Sequence, residues 1–488
     1  MSSDVENGKV IKAGIGYTIG NYLLKGLSFL TIPIFSRLME TSDYGIYNSF
    51  LAYGTILFIL IGFAIHSSYK NARYKYRLIE EGAKPGYDYK TYVSSTLLLT
   101  VISALIWLII VFVFGSYLSK SLGISKSNII ILVIYSFSIA VVTDFNSDIS
   151  LRYDYKSFLE VSAVNAISSI ALSVILMISV YKTKRYEGRI LGTSIPILLI
   201  AIYLIAKYWI AAKPKNNMFF LNWGLKYSLP IIPHGISQVV LSQFDRIMIM
   251  QMISTSASGI YSFGYNIFSI LSVTFNSLDS VWSPWFYEKR KKGDFNSIMR
   301  NSNIYIILMS AISCLLMLIS PELILILGSK KYIESQYCVM PIVAGGFFTF
   351  LYTIPCSVEY YHEKTNLIVI GTASAAIINI VLNYIFILKY GYIAAAYTTL
   401  VTYALYFFFH YFIAKHIEGK SLFSAKIIGI SIMTIIFIMI ISLAFIGQSV
   451  LRWVIASLFA IFTVLFEEKH FHICKKALTK IKQRRSVL

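Results

Sequence analysis

Tyr265, Ser269, Ser272, Asn276, Asp279 and Ser283 follow one another at intervals of four, three, four, three and four residues. On a helix this spacing lays all six side chains along one face. Hydroxyls, an amide and a carboxylate in such a row can line a wet, hydrogen-bonding path for a polar solute. A row of Ser and Thr alone would read as a seam between two helices; Asn276 and Asp279 turn the reading toward a cavity wall. A second row is Tyr17, Asn21, Lys25 and Ser28, spaced four, four and three. Lys25 sits in the middle of a long apolar run. A cation there is costly unless it is hydrated or paired, so it reads either as a group facing an anion or as half of a buried ion pair.

A third row is His234, Gln238 and Ser242, followed by Asp245 and Arg246. Adjacent helical residues point about 100° apart, so Asp245 and Arg246 need separate partners. The planar fork of an arginine suits a phosphate; the alternative for Arg246 is an anchor at a span end. Asp144, Asp148 and Arg152 recur every four residues and share a face. A desolvated carboxylate can take up and release a proton, which makes Asp144 and Asp148 candidates for ion coupling. A gate pair with Arg152 is the competing reading.

The elements that must position these residues are membrane spans. LLLTVISALIWLIIVFVFG (97–115) and IIGISIMTIIFIMIISLAFIG (427–447) carry no charge. The chain is 57% hydrophobic and 14% charged, against about 25% charged residues in soluble domains. A bilayer core of about 30 Å takes roughly 20 apolar helical residues. The fold class is therefore an all-α polytopic membrane protein, with about fourteen spans. The first span is placed at 13–36, the second at 43–66, the seventh at 222–253 and the eighth at 258–286. The first apolar run is too long for a cleaved signal segment and reads as a span. Pro33, Pro230, Pro233 and Pro284 fall in or near spans one, seven and eight and mark them as helices able to bend. Trp282 and Trp285 read as interfacial anchors.

The net charge of +20 could suggest nucleic acid. Its distribution argues otherwise: RYKYR (73–77), EKRKKGD (288–294) and KKALTKIKQRR (475–485) lie between or after spans. They read as topology signals that place both termini in the cytoplasm. YKTKRYEGR (181–189) dissents. No soluble domain offers a groove for nucleic acid. HIEGKS (416–421) ends like a phosphate-binding loop, but Ala414 stands where the first glycine belongs. Cys314, Cys338, Cys356 and Cys474 show no spacing for a disulfide framework or a metal site. No cofactor is expected.

The chain also repeats itself. TSDYGIY (41–47) returns as TSASGIY (255–261), RYDYKSFLEV (152–161) pairs with YYHEKTNLIV (360–369), and GRILG (188–192) pairs with GYIAA (391–395). The order is preserved, so two six-span copies related by an axis along the membrane normal are expected. The organisation reads as one six-helix lobe at 1–212, a second at 213–420, two additional helices at 421–467 and a basic cytoplasmic tail at 468–488.

This arrangement, together with the opening KAGIGYTIGNYLLKGLSFLTIPIFSRLMETSDYGIYNSF, resembles the multidrug/oligosaccharidyl-lipid/polysaccharide exporter superfamily. Within it the chain looks most like the Wzx-type oligosaccharide-lipid flippases of bacterial surface-polysaccharide pathways. The resemblance implies two lobes around a central cavity and residence in the bacterial inner membrane. It implies a cargo of polyprenyl-pyrophosphate-linked oligosaccharide, for O-antigen or capsule, moved by alternating access from the cytoplasmic to the outer leaflet. Membrane lipids, a polysaccharide polymerase and a chain-length regulator are the implied partners. A substrate-binding set of Asn21, Lys25, His234, Gln238, Asp245, Arg246, Asn276 and Asp279 fits an anionic cargo. A drug or small-cation exporter, and a peptidoglycan-precursor flippase, are rival readings from the same superfamily. A membrane polymerase or glycosyltransferase would want a sizeable extramembrane loop, and every segment between spans here is short.

Overall fold

In the computed structural model, which describes residues 2–215 and 218–471, the chain is all helix apart from turns. The helices are α1 (Ser2–Leu38), α2 (Thr41–Ile61), α3 (Tyr69–Tyr76), α4 (Tyr89–Leu122), α5 (Lys126–Leu151), α6 (Tyr155–Ser179), α7 (Arg185–Ala211) and α8 (Met218–Ser228). They continue as α9 (Ile232–Met252), α10 (Thr255–Lys291), α11 (Phe295–Leu327), α12 (Gln336–Tyr361), α13 (Thr365–Tyr390), α14 (Ile393–Glu418), α15 (Ala425–Ala444) and α16 (Ser449–Phe471). The basic tail from 472 onward, with Cys474, lies outside the described residues.

Among the described residues, 11 helices are long and apolar enough to cross a membrane. α1, α9 and α10 are not among them, and these three carry the polar rows at Asn21–Lys25, His234–Gln238 and Asn276–Asp279. A helix that must keep hydrogen-bonding groups along one face gives up mean hydropathy to do so.

The expected seventh span is divided. α8 ends at Ser228, Leu229–Ile231 form a 3₁₀ turn, and α9 begins at Ile232. Pro230 and Pro233 fall on this break, where missing amide donors and ring clashes oppose a continuous α-helix. Pro33, by contrast, lies inside an unbroken α1.

Two compact units are present, Met1–Ser262 and Phe263–Leu488. In the first, α6 packs on α7, α5 on α7 and α4, and α2 on α9 and α5, while α1 lies along α6. Small residues let these backbones approach. A β-carbon on Gly192 would run into the Ser173 backbone, and one on Gly20 would run into the Leu159 side chain. An aromatic cluster joins Tyr69 and Tyr76 of α3, Tyr89 and Tyr92 of α4 and Phe220 of α8. In the second unit α12 packs on α14, α13 on α14, and α11 on α12, α15 and α16.

Candidate functional site

α1 is held to α6 through Gly16, Gly20 and Tyr17, whose ring lies 5.2 Å from that of Phe158. Toward its C-terminal end Thr31, Phe35 and Ser36 are buried as well; between these contacts the exposed surface is split. At about 100° per residue, Ile19, Leu23 and Leu30 fall on one flank, while Asn21, Lys25 and Ser28 fall on the opposite one. Lys25 is exposed on that polar flank.

α9 runs along α2, with Gly235 against Ile59. His234 and Gln238 are half-buried. Asp245 is buried and accepts a hydrogen bond from the Tyr261 hydroxyl at 2.6 Å. Arg246 follows with its carbonyl oxygen accepting from the Ser258 hydroxyl at 2.9 Å. The C-terminal half of α9 is thereby stitched to the start of α10. Asp245 is thus tied into a seam, while Gln238 and His234 lie about two and three turns nearer the proline break.

The long α10 buries Ile267, Leu271, Trp282 and Phe286 along one edge. The row from Tyr265 to Ser283 runs beside that edge, with Asn276 exposed and Asp279 half-buried. Trp282 departs from the expected role of interfacial anchor. It is 2% exposed, and its indole nitrogen donates to the Ser357 hydroxyl of α12 at 2.8 Å. An indole held this way fills space between helices.

Asp144 and Asp148 are both buried on α5. Asp148 accepts from Arg152 at 2.7 Å and from the Tyr208 hydroxyl of α7 at 2.6 Å. Two donors, Arg152 just past the end of α5 and Tyr208 on α7, therefore share one carboxylate, while the Arg152 side chain remains 46% exposed. The pairing of Asp148 with Arg152 follows from their spacing of four; the tyrosine from a distant helix does not.

Three polar groupings in the second unit have no counterpart in the rows read from sequence. Arg452 of α16, 2% exposed, forks onto Glu322 of α11 at 2.6 and 2.9 Å and donates to the Leu318 carbonyl at 2.6 Å. Glu359 of α12 and His410 of α14 meet at 2.6 Å, both fully buried. Asn379 donates to Thr399 at 3.1 Å and accepts from Asn383 at 3.1 Å, and Thr398 donates to Asn383. The signal available for them was an ionisable or amide residue inside an apolar run, which is functional or paired by default.

Residues 10–290 match the family profile described as "Polysaccharide biosynthesis protein". Two curated proteins of Haemophilus influenzae (strain ATCC 51907 / DSM 11121 / KW20 / Rd) are similar. "Lsg locus putative protein 1" is 23% identical over 374 residues, covering 74% of this chain and 87% of that one. An "Uncharacterized membrane protein" is 26% identical over 373 residues, covering 73% and 85%. Among solved structures, the lipid II flippase MurJ in an inward closed conformation superposes with a TM-score of 0.70. Its identity is 17%, covering 93% of this chain and 99% of that one. An inward-facing multidrug resistance transporter of the MATE family superposes at 0.59 with 12% identity, covering 82% and 96%. At these identities the likeness is one of fold.

Proposed function

The chain belongs to the polysaccharide biosynthesis protein family, and from that premise we propose that it is a flippase for a polyprenyl-pyrophosphate-linked oligosaccharide. The cargo moves from the cytoplasmic to the outer leaflet of a bacterial inner membrane, for assembly of a surface polysaccharide such as O-antigen or capsule. Family membership is the observation that carries this reading. The exposed polar flank of α1 and the polar row of α10 support it, because they supply what the cargo lacks in lipid. An unsatisfied hydroxyl in an apolar medium costs roughly 2–7 kcal/mol, and an ionised phosphate far more.

Lys25 is the residue that would meet the pyrophosphate. Its ammonium is exposed in the middle of a helix otherwise flanked by Ile19, Leu23 and Leu30. Asn21, His234, Gln238, Asn276 and Asp279 would offer hydrogen bonds to sugar hydroxyls. Arg246 would add a second cationic contact. Asp245 would serve by fixing α9 through Tyr261. The function is transport without covalent chemistry, and alternating access would supply it. Asp148 and Arg152 would act as a clip at the end of α5, opened or held as the helices move.

The test is genetic. Without this protein, lipid-linked oligosaccharide should accumulate where a membrane-impermeant lectin or oxidant added from outside cannot reach it. Restored surface glycan on re-expression supports the reading. Normal glycan accompanied by drug sensitivity points instead to an exporter of small molecules, and defective cell-wall synthesis points to a peptidoglycan-precursor flippase.

A further inference from the structure

Cys356, Glu359 and His410 meet inside the second unit, where α12 packs on α14. One ligand-capable atom from each lies within 4.8 Å of the others, and all three residues are buried. Cys356 and Glu359 are three apart on α12, so they share a face. His410 comes from the middle of α14, the helix packed most extensively on α12. Glu359 and His410 are each 0% exposed.

Two atoms of this group have no hydrogen-bond partner: the second carboxylate oxygen of Glu359, Oε2, and Nε2 of His410. Nδ1 of the imidazole lies 2.6 Å from Oε1 of Glu359. With Nδ1–H donating there, Nε2 carries a lone pair. For Glu359 and His410 to ligate one cation together, this hydrogen bond gives way and both side chains turn toward the ion. Gly371 of α13 faces the same nitrogen, and a β-carbon there would sit 3.0 Å from it. Any other residue at 371 would crowd Nε2. Buried polar atoms without partners are uncommon in folded proteins and call for an explanation.

We propose that Cys356, Glu359 and His410 form a site for a divalent metal of the zinc class that fastens α12 to α14. The donor set selects the metal. Thiolate and imidazole suit zinc and its neighbours, whereas magnesium and calcium require oxygen ligands throughout. Charge favours it as well. On binding, Cys356 gives up its proton to solvent, and the thiolate and carboxylate together offset the two charges of the cation. A net-neutral set avoids the desolvation cost that an unpaired ion would meet in an apolar interior. Tetrahedral ligands sit about 3.3–3.8 Å apart around zinc, so the side chains close up by rotation when the ion enters. The site has three protein ligands and leaves one position open. Sequence reading passed it over because three ligands on two helices, Cys356 and His410 being far apart in the chain, form no local motif.

The experiment uses the full chain, purified in detergent, stripped with a chelator and titrated with cobalt(II). Tetrahedral cobalt gives intense visible bands, and a cobalt–thiolate bond adds a charge-transfer band in the near ultraviolet. Both should saturate at about one ion per chain, and zinc should abolish them. C356S, which is close to isosteric, should remove the charge-transfer band while eluting as a folded species. H410Q and E359Q should weaken cobalt binding by roughly tenfold or more. C314S and C338S should leave the spectrum unchanged. The proposal is overturned if the wild-type chain shows no charge-transfer band. It is equally overturned if the band survives in folded C356S or is lost in C314S or C338S. If E359Q or H410Q fails to fold, C356S alone decides.

Discussion

Gly45 and Gly259 lie against each other, backbone to backbone. A β-carbon on Gly45 would strike the Thr255 carbonyl oxygen and come within 2.8 Å of the Gly259 nitrogen. A β-carbon on Gly259 would strike the Thr41 carbonyl oxygen and lie 3.0 Å from the Gly45 nitrogen. The relationship is reciprocal, and the two residues are the glycines of the repeated TSDYGIY and TSASGIY stretches. Thr41 and Ser256 close the contact with a hydroxyl pair at 2.6 Å, and Ser49 meets Ser258 at 3.3 Å. The repeated letters thus mark the place where the starts of α2 and α10 touch.

Substituting either glycine should loosen this seam. G45A and G259A each introduce a methyl where carbonyl oxygens leave no room, a loss of about 1–3 kcal/mol for overpacking. Thermal unfolding in detergent should show both variants melting below wild type, with G45V lower still. A control at Gly429, where a β-carbon meets nothing within 4 Å, should melt normally.

A flippase must open somewhere, and this seam is a candidate for the part that opens. The T41C/S256C variant should form a disulfide under mild oxidation, because the two hydroxyls already lie within 2.6 Å. Transport should stop on oxidation and return with reductant. Full transport by a verifiably cross-linked chain would show that α2 and α10 stay together throughout the cycle.

Lys25 gives a sharper prediction about cargo. If Lys25 meets the proposed pyrophosphate cargo, K25A would remove a charge-assisted contact worth about 1.5–3 kcal/mol and should weaken cargo binding by roughly tenfold or more. K25R should retain most activity and K25E very little. Normal expression with unchanged transport in K25A would contradict the assignment of Lys25 to the anion.

The buried pair of Arg452 and Glu322 should matter for stability and not for cargo. R452A leaves Glu322 without its fork partner. It should cost about 2–4 kcal/mol, somewhat below the value for a fully enclosed pair because Glu322 is 24% exposed. R452M/E322Q should recover part of the loss. The readout is the melting temperature set against transport per folded molecule, the second of which should stay near wild type.

Outside the spans, Glu81 is held in its charged form by Arg73, whose guanidinium reaches it at 2.6 and 2.8 Å, with the Leu78 amide adding a third bond. Its pKa falls from 4.5 to about 2. A carboxylate lowered this way contributes its stabilisation fully above the ordinary value, and that contribution disappears as pH falls through about 2. A carbon-13 titration of the Glu81 carboxyl should therefore run well below the ordinary range in wild type and move back up in R73A.

Much of this architecture is legible in the chain itself. Long uncharged runs dictate helices, and the intervals from Tyr265 to Ser283 describe a face that α10 does present beside its buried edge. The proline break is legible too, although sequence alone merged α8 and α9 into one span. What periodicity could not reveal is which face meets which partner. Asp148 was visible as an acid every four residues, but Tyr208 reaches it from another helix. Trp282 had the composition of an anchor and proved to be a packed residue bonded to Ser357. Glu359, Cys356 and His410 come together only once α12 and α14 pack, and no local spacing encodes that.

The proposed cargo is a polyprenyl-pyrophosphate-linked oligosaccharide, carried across a bilayer with Lys25 on the path. Purified protein reconstituted into vesicles holding that labelled lipid tests it most directly. With wild type, the share of glycan open to an impermeant lectin should rise with time above the protein-free level, and K25A should slow the rise by roughly tenfold. A wild-type rate no faster than that of protein-free vesicles, from protein that is demonstrably folded, would contradict the account.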